Sequence, residues 1–308
     1  NAIVLILGRK GRRILMCAPT GRAAKRMEEA TGREAKTIHR LLEFNPRRQR
    51  FERDGSCPLE ADLVIVDEMS MVDAALFDAL LQAVPRACQL LFVGDTDQLP
   101  SVGPGNVLHD LIASRALEVV ALTEIFRQAR ESLIVVNAHR INRGEAPILS
   151  SDEWEQPDFF FIPKEDPLEI VETLKEIVLR RIPSRFGVDP VDDIQVLTPM
   201  RRGALGAVNL NSVLQELLNP EGETSERGGR LFRVGDKGMQ VRNNYDLGVF
   251  NGDLGRVISI DREERQVTVR FDERPVTYDW SDIDDLALGY ACSIHKAQGS
   301  EYPVVVIP

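Results

Sequence analysis

The stretch Leu63-Val64-Ile65-Val66, followed at once by Asp67-Glu68, restricts the fold of this chain more than any other. The apolar run is mostly β-branched and offers water no polar face. Such a strand must be covered on both sides, as in a parallel sheet flanked by helices. Its two carboxylates stand at the carboxyl end of the strand, where open α/β sheets collect their chemistry. An aspartate there can hold Mg²⁺ through oxygen. The adjacent glutamate can orient or deprotonate a water that attacks a phosphoryl group. The same residues also suit a strand that merely runs into an acidic helix start, so the weight falls on what the other strands lead into.

Several other apolar runs end in polar loops. Ile14-Leu15-Met16-Cys17 leads into Ala18-Pro19-Thr20-Gly21-Arg22 and a helix over 23–30 that Gly32 closes. Residues 89–93 lead into Gly94-Asp95-Thr96-Asp97-Gln98-Leu99-Pro100, and 194–197 into Thr198-Pro199-Met200-Arg201-Arg202-Gly203. Helical spacing predicts helices over 2–7, 73–84, 132–142, 168–179 and 210–218, a short one over 37–42, and a further strand over 119–122. Residues 47–54 read as a surface hairpin or loop, and 150–157 as an acidic linker. From 231 to 286 the period changes to short strands with glycine turns, at 239–241, 254–260, 266–271 and 275–278, as in a small antiparallel barrel. Residues 287–294 and 304–307 then return to the α/β pattern. The alternation predicts an α/β fold with two doubly wound domains. The first covers 1–147, the second 148–230 with 286–308, and the barrel at 231–285 is an insert.

Hydrophobic residues make up 43% of the 308 residues, enough for more than one core, and no apolar run reaches the length of a membrane span. Both ends read as cut, since the chain starts at Asn1 and stops at a strand-like run. The four cysteines, Cys17, Cys57, Cys88 and Cys292, show no paired spacing. That argues against zinc and suits reduced thiols, hence a cytoplasmic protein with no membrane partner. The net charge of −10 argues against a general nucleic-acid coat, yet residues 1–53 hold 14 Lys/Arg against 5 Asp/Glu. A basic end on an acidic chain suits either a local phosphate-binding surface or an ordinary solvated face.

The runs Ala18-Pro19-Thr20-Gly21-Arg22-Ala23-Ala24, Val66-Asp67-Glu68-Met69-Ser70-Met71, Gly94 to Pro100, Phe126-Arg127-Gln128 and His295-Lys296-Ala297-Gln298-Gly299-Ser300-Glu301 resemble, in order, successive motifs of superfamily 1 DNA helicases. The closest branch is the RecD-like one, related to the alpha subunit of exodeoxyribonuclease V and to TraA-type relaxase helicases. The resemblance implies two RecA-like domains, the second with an SH3-like insert, and ATP-driven 5′-to-3′ travel on single-stranded DNA that unwinds duplex in recombination or repair. It implies ATP and Mg²⁺ as cofactors, single-stranded and duplex DNA as partners, and subunits of a nuclease complex as further ones. It also implies roles: Asp67 helps hold Mg²⁺, Glu68 activates water, Gln98 senses the γ-phosphate, and Arg127 reaches that phosphate from across a cleft. Glu301 and Gly299 lie near the nucleotide. Pro19, Thr20, Arg22, Thr37 and His39 grip the single strand from the first domain, and Arg201, Arg202, His295 and Ser300 from the second. His39 suits packing within its helix equally well. Residues 231–285 hold 8 basic and 12 acidic residues, so a DNA contact there cannot rest on charge.

The sequence departs from that family in two respects: GxxxxGK[ST], the phosphate-cradling loop, and the family's last motif with its second arginine are both absent from the 308 residues. The expectation is that the isolated chain lacks competent ATP hydrolysis. A second expectation is an unpaired edge at 89–93, where the sheet splits, a partner molecule fills the gap, or an upstream segment is present but disordered. Two other functions compete. A nucleotide kinase or small-molecule ATPase has no use for a second α/β domain with an inserted barrel. A non-enzymatic DNA-binding scaffold has no reason to keep Asp67-Glu68, Gln98 and Arg127 together.

Overall fold

The computed structural model describes residues 1–122, 131–150, 154, 157–222, 224–227, 230–244, 246–272 and 274–308. They form two compact units, Asn1–Leu108 with Pro167–Pro308, and His109–Asp166. In the larger unit, four parallel strands lie in the order Lys36–Thr37, Ile14–Ala18, Leu63–Val66, Gln89–Phe92. All four residues of Leu63–Val66 are buried, as a strand between two others and under helices requires. The helix Ala2–Arg9 buries Val4 against Met16, Leu63 and Ile65. The helix Gly21–Thr31 presses Ala23 and Ala24 inward, starts on the Thr20 hydroxyl, which accepts from Ala23 N at 3.2 Å, and stops at left-handed Gly32. The helix Ala74–Ala83 starts on the Asp73 carboxylate, which accepts from Leu76 N at 2.8 Å. The register pairs Ala18 with Thr37 and Cys17 with Val66, so every loop of interest leaves one edge of this sheet. The four strands stay in one sheet, with Gln89–Phe92 as an outer strand, and no described strand pairs along its outer side.

A second parallel sheet has the order Ala291–Ser293, Ile194–Thr198, Val304–Val306. The helices Pro167–Glu176 and Ala207–Leu218 cover it with Leu174, Leu210 and Leu214, each at most 2% exposed. Ser293 pairs with Thr198, so the loops after these two strands also share an edge. An antiparallel sheet of five strands runs Arg274–Asp279, Gln266–Phe271, Leu254–Asp261, Lys237–Gln240, Leu286–Leu288, around a core that includes Val267, Val269 and Tyr278.

Buried polar groups join this sheet to its parallel neighbour. Asp236 is fully buried, and its carboxylate accepts from Gln215 Nε2 at 2.6 Å, Asn219 Nδ2 at 2.7 Å, Arg233 N at 2.7 Å and Tyr290 Oη at 3.0 Å. Burial pushes its pKa up, and the donors pull it back down. Next to it, Lys237 donates from Nζ to Ile194 O at 3.0 Å, and burial lowers its pKa to about 8.

The small unit is held by side-chain caps. The Asp158 carboxylate accepts from Leu133 N at 2.8 Å and Ile134 N at 3.1 Å at the start of the helix Leu133–Asn142. Buried Asn137 bonds both backbone groups of Ile148.

Four readings of the sequence need correction. Residues 119–122 form no strand; Val120 and Leu122 are 83% and 97% exposed, and β-branched composition without a neighbouring strand is not enough. A helix not anticipated, Val107–Ser114, follows the 94–102 loop. The helix expected over 168–179 is Pro167–Glu176, continued by a π turn at Ile177–Arg181 and a short helix Ile182–Phe186. Pro183 has no N–H to give and would clash in a regular turn, and a wider turn before it relieves both problems. Leu286–Leu288 pairs with Lys237–Gln240, so the chain returns to the parallel sheet only at Ala291. The hairpin left open at 47–54 is formed by Phe44–Asn45 and Arg50–Phe51.

Candidate functional site

Asp67 and Glu68 leave the buried strand together. Asp67 N donates to Cys17 O at 2.9 Å, and Asp67 Oδ1 accepts from Glu68 N at 2.9 Å. Glu68 adopts a left-handed backbone, φ 51°, before the 3₁₀ turn Met69–Met71. A side chain held there at about 1–3 kcal/mol persists only where its surroundings dictate it. Met69 N donates to Val93 O at 2.9 Å, which ties the turn to the neighbouring strand. The Glu68 carboxyl is half-buried. Burial is the main reason its pKa is raised, with the charges of Asp67 and Asp95 adding to it and Arg26 opposing.

The loop 295–301 of the second parallel sheet comes to the same place. Glu68 Oε1 lies 4.0 Å from where a Cβ on Gly299 would stand, and Gly299 itself has φ +72°. Arg26 lies 3.6 Å from Glu301. Gln298 Nε2 donates to Leu99 O at 2.9 Å, joining this loop to the one that carries Gln98. Gln98 is exposed at the turn, where its N–H reaches Asp95 O at 3.4 Å. Arg127 lies outside the described residues. Arg26 was not anticipated from the sequence, although its place one helical turn after Arg22 puts both on one face.

The residues expected to grip a strand divide into two kinds. Arg22 Nη1 donates to Ser300 Oγ at 2.5 Å and to Gly252 O at 3.4 Å, so it bridges to the second sheet and the antiparallel sheet. The Thr20 and Thr37 hydroxyls both accept a helix N–H, the latter from Arg40 N at 3.2 Å, and so serve as caps in the structure. Pro19 is half-buried beside them. His39 packs in an aromatic cluster, its ring 5.7 Å from Phe44 and 5.6 Å from Phe51. Burial lowers its pKa, while Asp73 opposes. Arg201, Arg202 and His295 are exposed at the carboxyl edge of the second sheet.

Phe250 lies directly on the start of the helix Gly21–Thr31. A Cβ on Gly21 would stand 2.1 Å from Phe250 Cδ1. Gly21→Ala therefore forces the turn around Phe250 away. The expected loss is about 1–3 kcal/mol of stability, read as a lower urea midpoint. An unchanged midpoint would contradict the contact.

Together these residues place one carboxylate that can hold a cation, a second with raised pKa that can accept a proton, and an arginine and glutamate beside them. The described residues include no cluster of three or more His, Cys, Asp or Glu side chains that would hold a metal alone. The single carboxylate of Asp67 at the strand end has the oxygen donor that a Mg²⁺ carried in by phosphate would take.

Residues 1–104 match the model of an AAA domain, and residues 210–271 that of an ATP-dependent RecD-like DNA helicase SH3 domain. The chain is 40% identical over 298 residues to the ATP-dependent RecD2 DNA helicase of Deinococcus radiodurans, covering 96% of this chain and 39% of that protein. It is 31% identical to the RecBCD enzyme subunit RecD of Mycolicibacterium smegmatis, covering 98% of this chain and 58% of that protein. The chain thus spans about half the length of these curated relatives, or less. Among solved structures, a Pif1 helicase from work on unwinding at forked duplex DNA superposes with a TM-score of 0.56 at 19% identity, over 98% of this chain and 77% of that one. Bacteroides Pif1 in complex with ADP-AlF3 and single-stranded DNA gives 0.54 at 20% identity, over 96% and 76%. These two likenesses concern the fold.

Proposed function

We propose that this chain is of the RecD-like branch of the superfamily 1 DNA helicases, the motor core of a protein that couples ATP hydrolysis to 5′-to-3′ travel on single-stranded DNA and to duplex unwinding. The observation that carries this reading is the approach of the 295–301 loop to Glu68, with Arg26 beside both. A proton acceptor fixed on one sheet and faced by a loop of another suits a reaction whose outcome must be passed between two bodies.

Bound Mg²⁺·ATP would supply the phosphoryl group and the charge that holds it. Asp67 would hold the cation. Glu68 would orient the attacking water and take its proton, a task that a raised carboxylate pKa suits. Gln98 and Arg127 would contact the γ-phosphate, where transition-state charge develops. Gly299 and Glu301 would border the nucleotide, with Arg26 pairing the latter. Pro19, Thr20, Arg22, Thr37 and His39 would lie along the single strand on one side, and Arg201, Arg202, His295 and Ser300 on the other. Backbone amides, hydroxyls and cations of this kind hold phosphates without reading sequence. Subunits of a nuclease complex remain partners on this reading, as does duplex DNA.

The test is ATP hydrolysis by the protein that carries this chain, with and without single-stranded DNA, beside unwinding of duplexes tailed at one end or the other. Stimulation by the strand, with unwinding of the 5′-tailed duplex alone, is the expected result. ATP turnover indifferent to DNA would favour a small-molecule ATPase instead.

A further inference from the structure

The site accounts for only part of the basic balance of residues 1–53. Another part gathers at the opposite edge of the first parallel sheet, where its strands set out. The helix Ala2–Arg9 ends there, and Arg9, Lys10 and Arg12 are exposed around its last turn. The turn is tight. Lys10 N and Arg12 N both donate to Leu7 O, at 3.1 and 3.3 Å, and Gly11 takes φ 71°, a conformation that suits glycine. Arg33 reaches the same place from just beyond the helix Gly21–Thr31, with its guanidinium over Gly8 where a Cβ would otherwise stand. We propose that Arg9, Lys10, Arg12 and Arg33 form a second nucleic-acid contact that holds the phosphate backbone of the duplex, an assignment that rests on the DNA-translocating function proposed above.

The carboxylates at this edge are already engaged. Glu60 pairs with Arg13 at 2.9 Å, Asp62 accepts from Arg13 N at 2.7 Å, and Glu34 pairs with Lys36 at 3.2 Å. Among the described residues, none pairs with Arg9, Lys10, Arg12 or Arg33. The helix macrodipole explains a cation at Arg9, but its effect fades within the last turn and leaves Arg12 and Arg33 without a local reason. Like charges gathered in this way repel one another, and a polyanion relieves the repulsion. The run Arg9-Lys10-Gly11-Arg12-Arg13 contains no apolar side chain, whereas protein interfaces centre on apolar and aromatic anchors. Cations on a glycine turn hold phosphates without reading sequence. The five residues of Ile14–Ala18 separate this edge from the one with Thr20, a span of about 15 Å. A single strand laid along the Thr20 edge stays clear of these cations, so the phosphates they meet belong to another part of the substrate.

The experiment compares a fluorescein-labelled duplex bearing a 5′ oligodeoxythymidylate tail with the tail alone, over a range of salt, using the protein that carries this chain. The unaltered protein should bind the tailed duplex more tightly and with the steeper salt dependence. Each duplex phosphate contact adds about 0.9 to the slope of log affinity against log salt, or roughly 8-fold in affinity at 0.1 M salt. Arg9→Gln/Lys10→Gln/Arg12→Gln should therefore lower the slope for the tailed duplex by up to about 2.7 and its affinity by up to roughly 500-fold. Binding of the tail alone should not change, which also reports that the variant is folded. Lys175→Gln/Arg180→Gln/Arg181→Gln makes the same charge change on the helices of the second sheet and should leave both substrates as they were. An unchanged slope for the tailed duplex overturns the assignment and leaves this edge to a protein partner, for which Ile3, Leu5 and Ile6 are exposed on the same helix. Equal losses on the tail alone, or equal losses in the second variant, also overturn it. A loss seen only when the duplex carries a 3′ tail as well gives the cations to the displaced strand instead. Failure of the unaltered protein to bind any single strand overturns the helicase reading itself.

Discussion

Glu68→Gln, made in the protein that carries this chain, lowers DNA-stimulated ATP turnover about 10²–10⁴-fold, the usual worth of a general base. Single-strand affinity stays where it was, since the amide keeps the size and shape of the carboxylate. The raised pKa sets a second, independent readout. A carboxyl whose folded pKa exceeds its unfolded one is stabilising only while protonated, and its contribution is lost as pH rises through the folded pKa. At neutral pH the ionised Glu68 thus opposes folding, and the neutral amide raises the melting temperature. At pH values below the unfolded carboxylate pKa the difference between the two proteins disappears. Retained turnover would remove Glu68 from the chemistry, and an unchanged melting temperature at neutral pH would remove the burial argument.

Asp236→Ala is expected to destabilise by about 3–5 kcal/mol, the cost of breaking a buried charged network from one side. Four donors lose their acceptor at once, two amide side chains, a phenol and a backbone N–H. Each donor left dry costs about 1–3 kcal/mol, and water entering the space of the missing carboxylate recovers part. The urea midpoint should fall with little change in slope. Asp272→Asn is the control. Its carboxylate, 3.1 Å from Lys25, is 81% exposed, and an exposed pair contributes about 0–1 kcal/mol. Equal effects of the two substitutions would show that the buried network does not hold the antiparallel sheet in place.

The buried strand Leu63–Val66 and its two carboxylates were legible because burial on both faces leaves a signature in composition. The helices Gly21–Thr31, Ala74–Ala83 and Leu133–Asn142 were legible to within a residue or two of their ends, whereas the side chains that cap them were seen only in the structure. Residues 119–122 misled because β-branched residues fit a strand only when another strand is beside them, and pairing is not written locally. Leu286–Leu288 was assigned to the wrong sheet for the same reason. The contact of Arg26 with Glu301 and much of the Asp236 network depend on partners far along the chain. A short window of sequence contains neither Arg26 with Glu301 nor Asp236 with Tyr290. Arg127, whose motif was legible, lies outside the described residues, and its role rests on resemblance.

The two attachments of the antiparallel sheet differ in kind. Toward the Ile194–Thr198 sheet it is held by the buried hydrogen bonds of Asp236 and Lys237, which must all break together on separation. Toward the helix Gly21–Thr31 it is held by Phe250 on a bare glycine, by Arg22 on a carbonyl and by Lys25 on Asp272, contacts that water can replace at small cost. If the two ends come apart, the antiparallel sheet is therefore expected to stay with the Ile194–Thr198 sheet and to release the helix Gly21–Thr31 first.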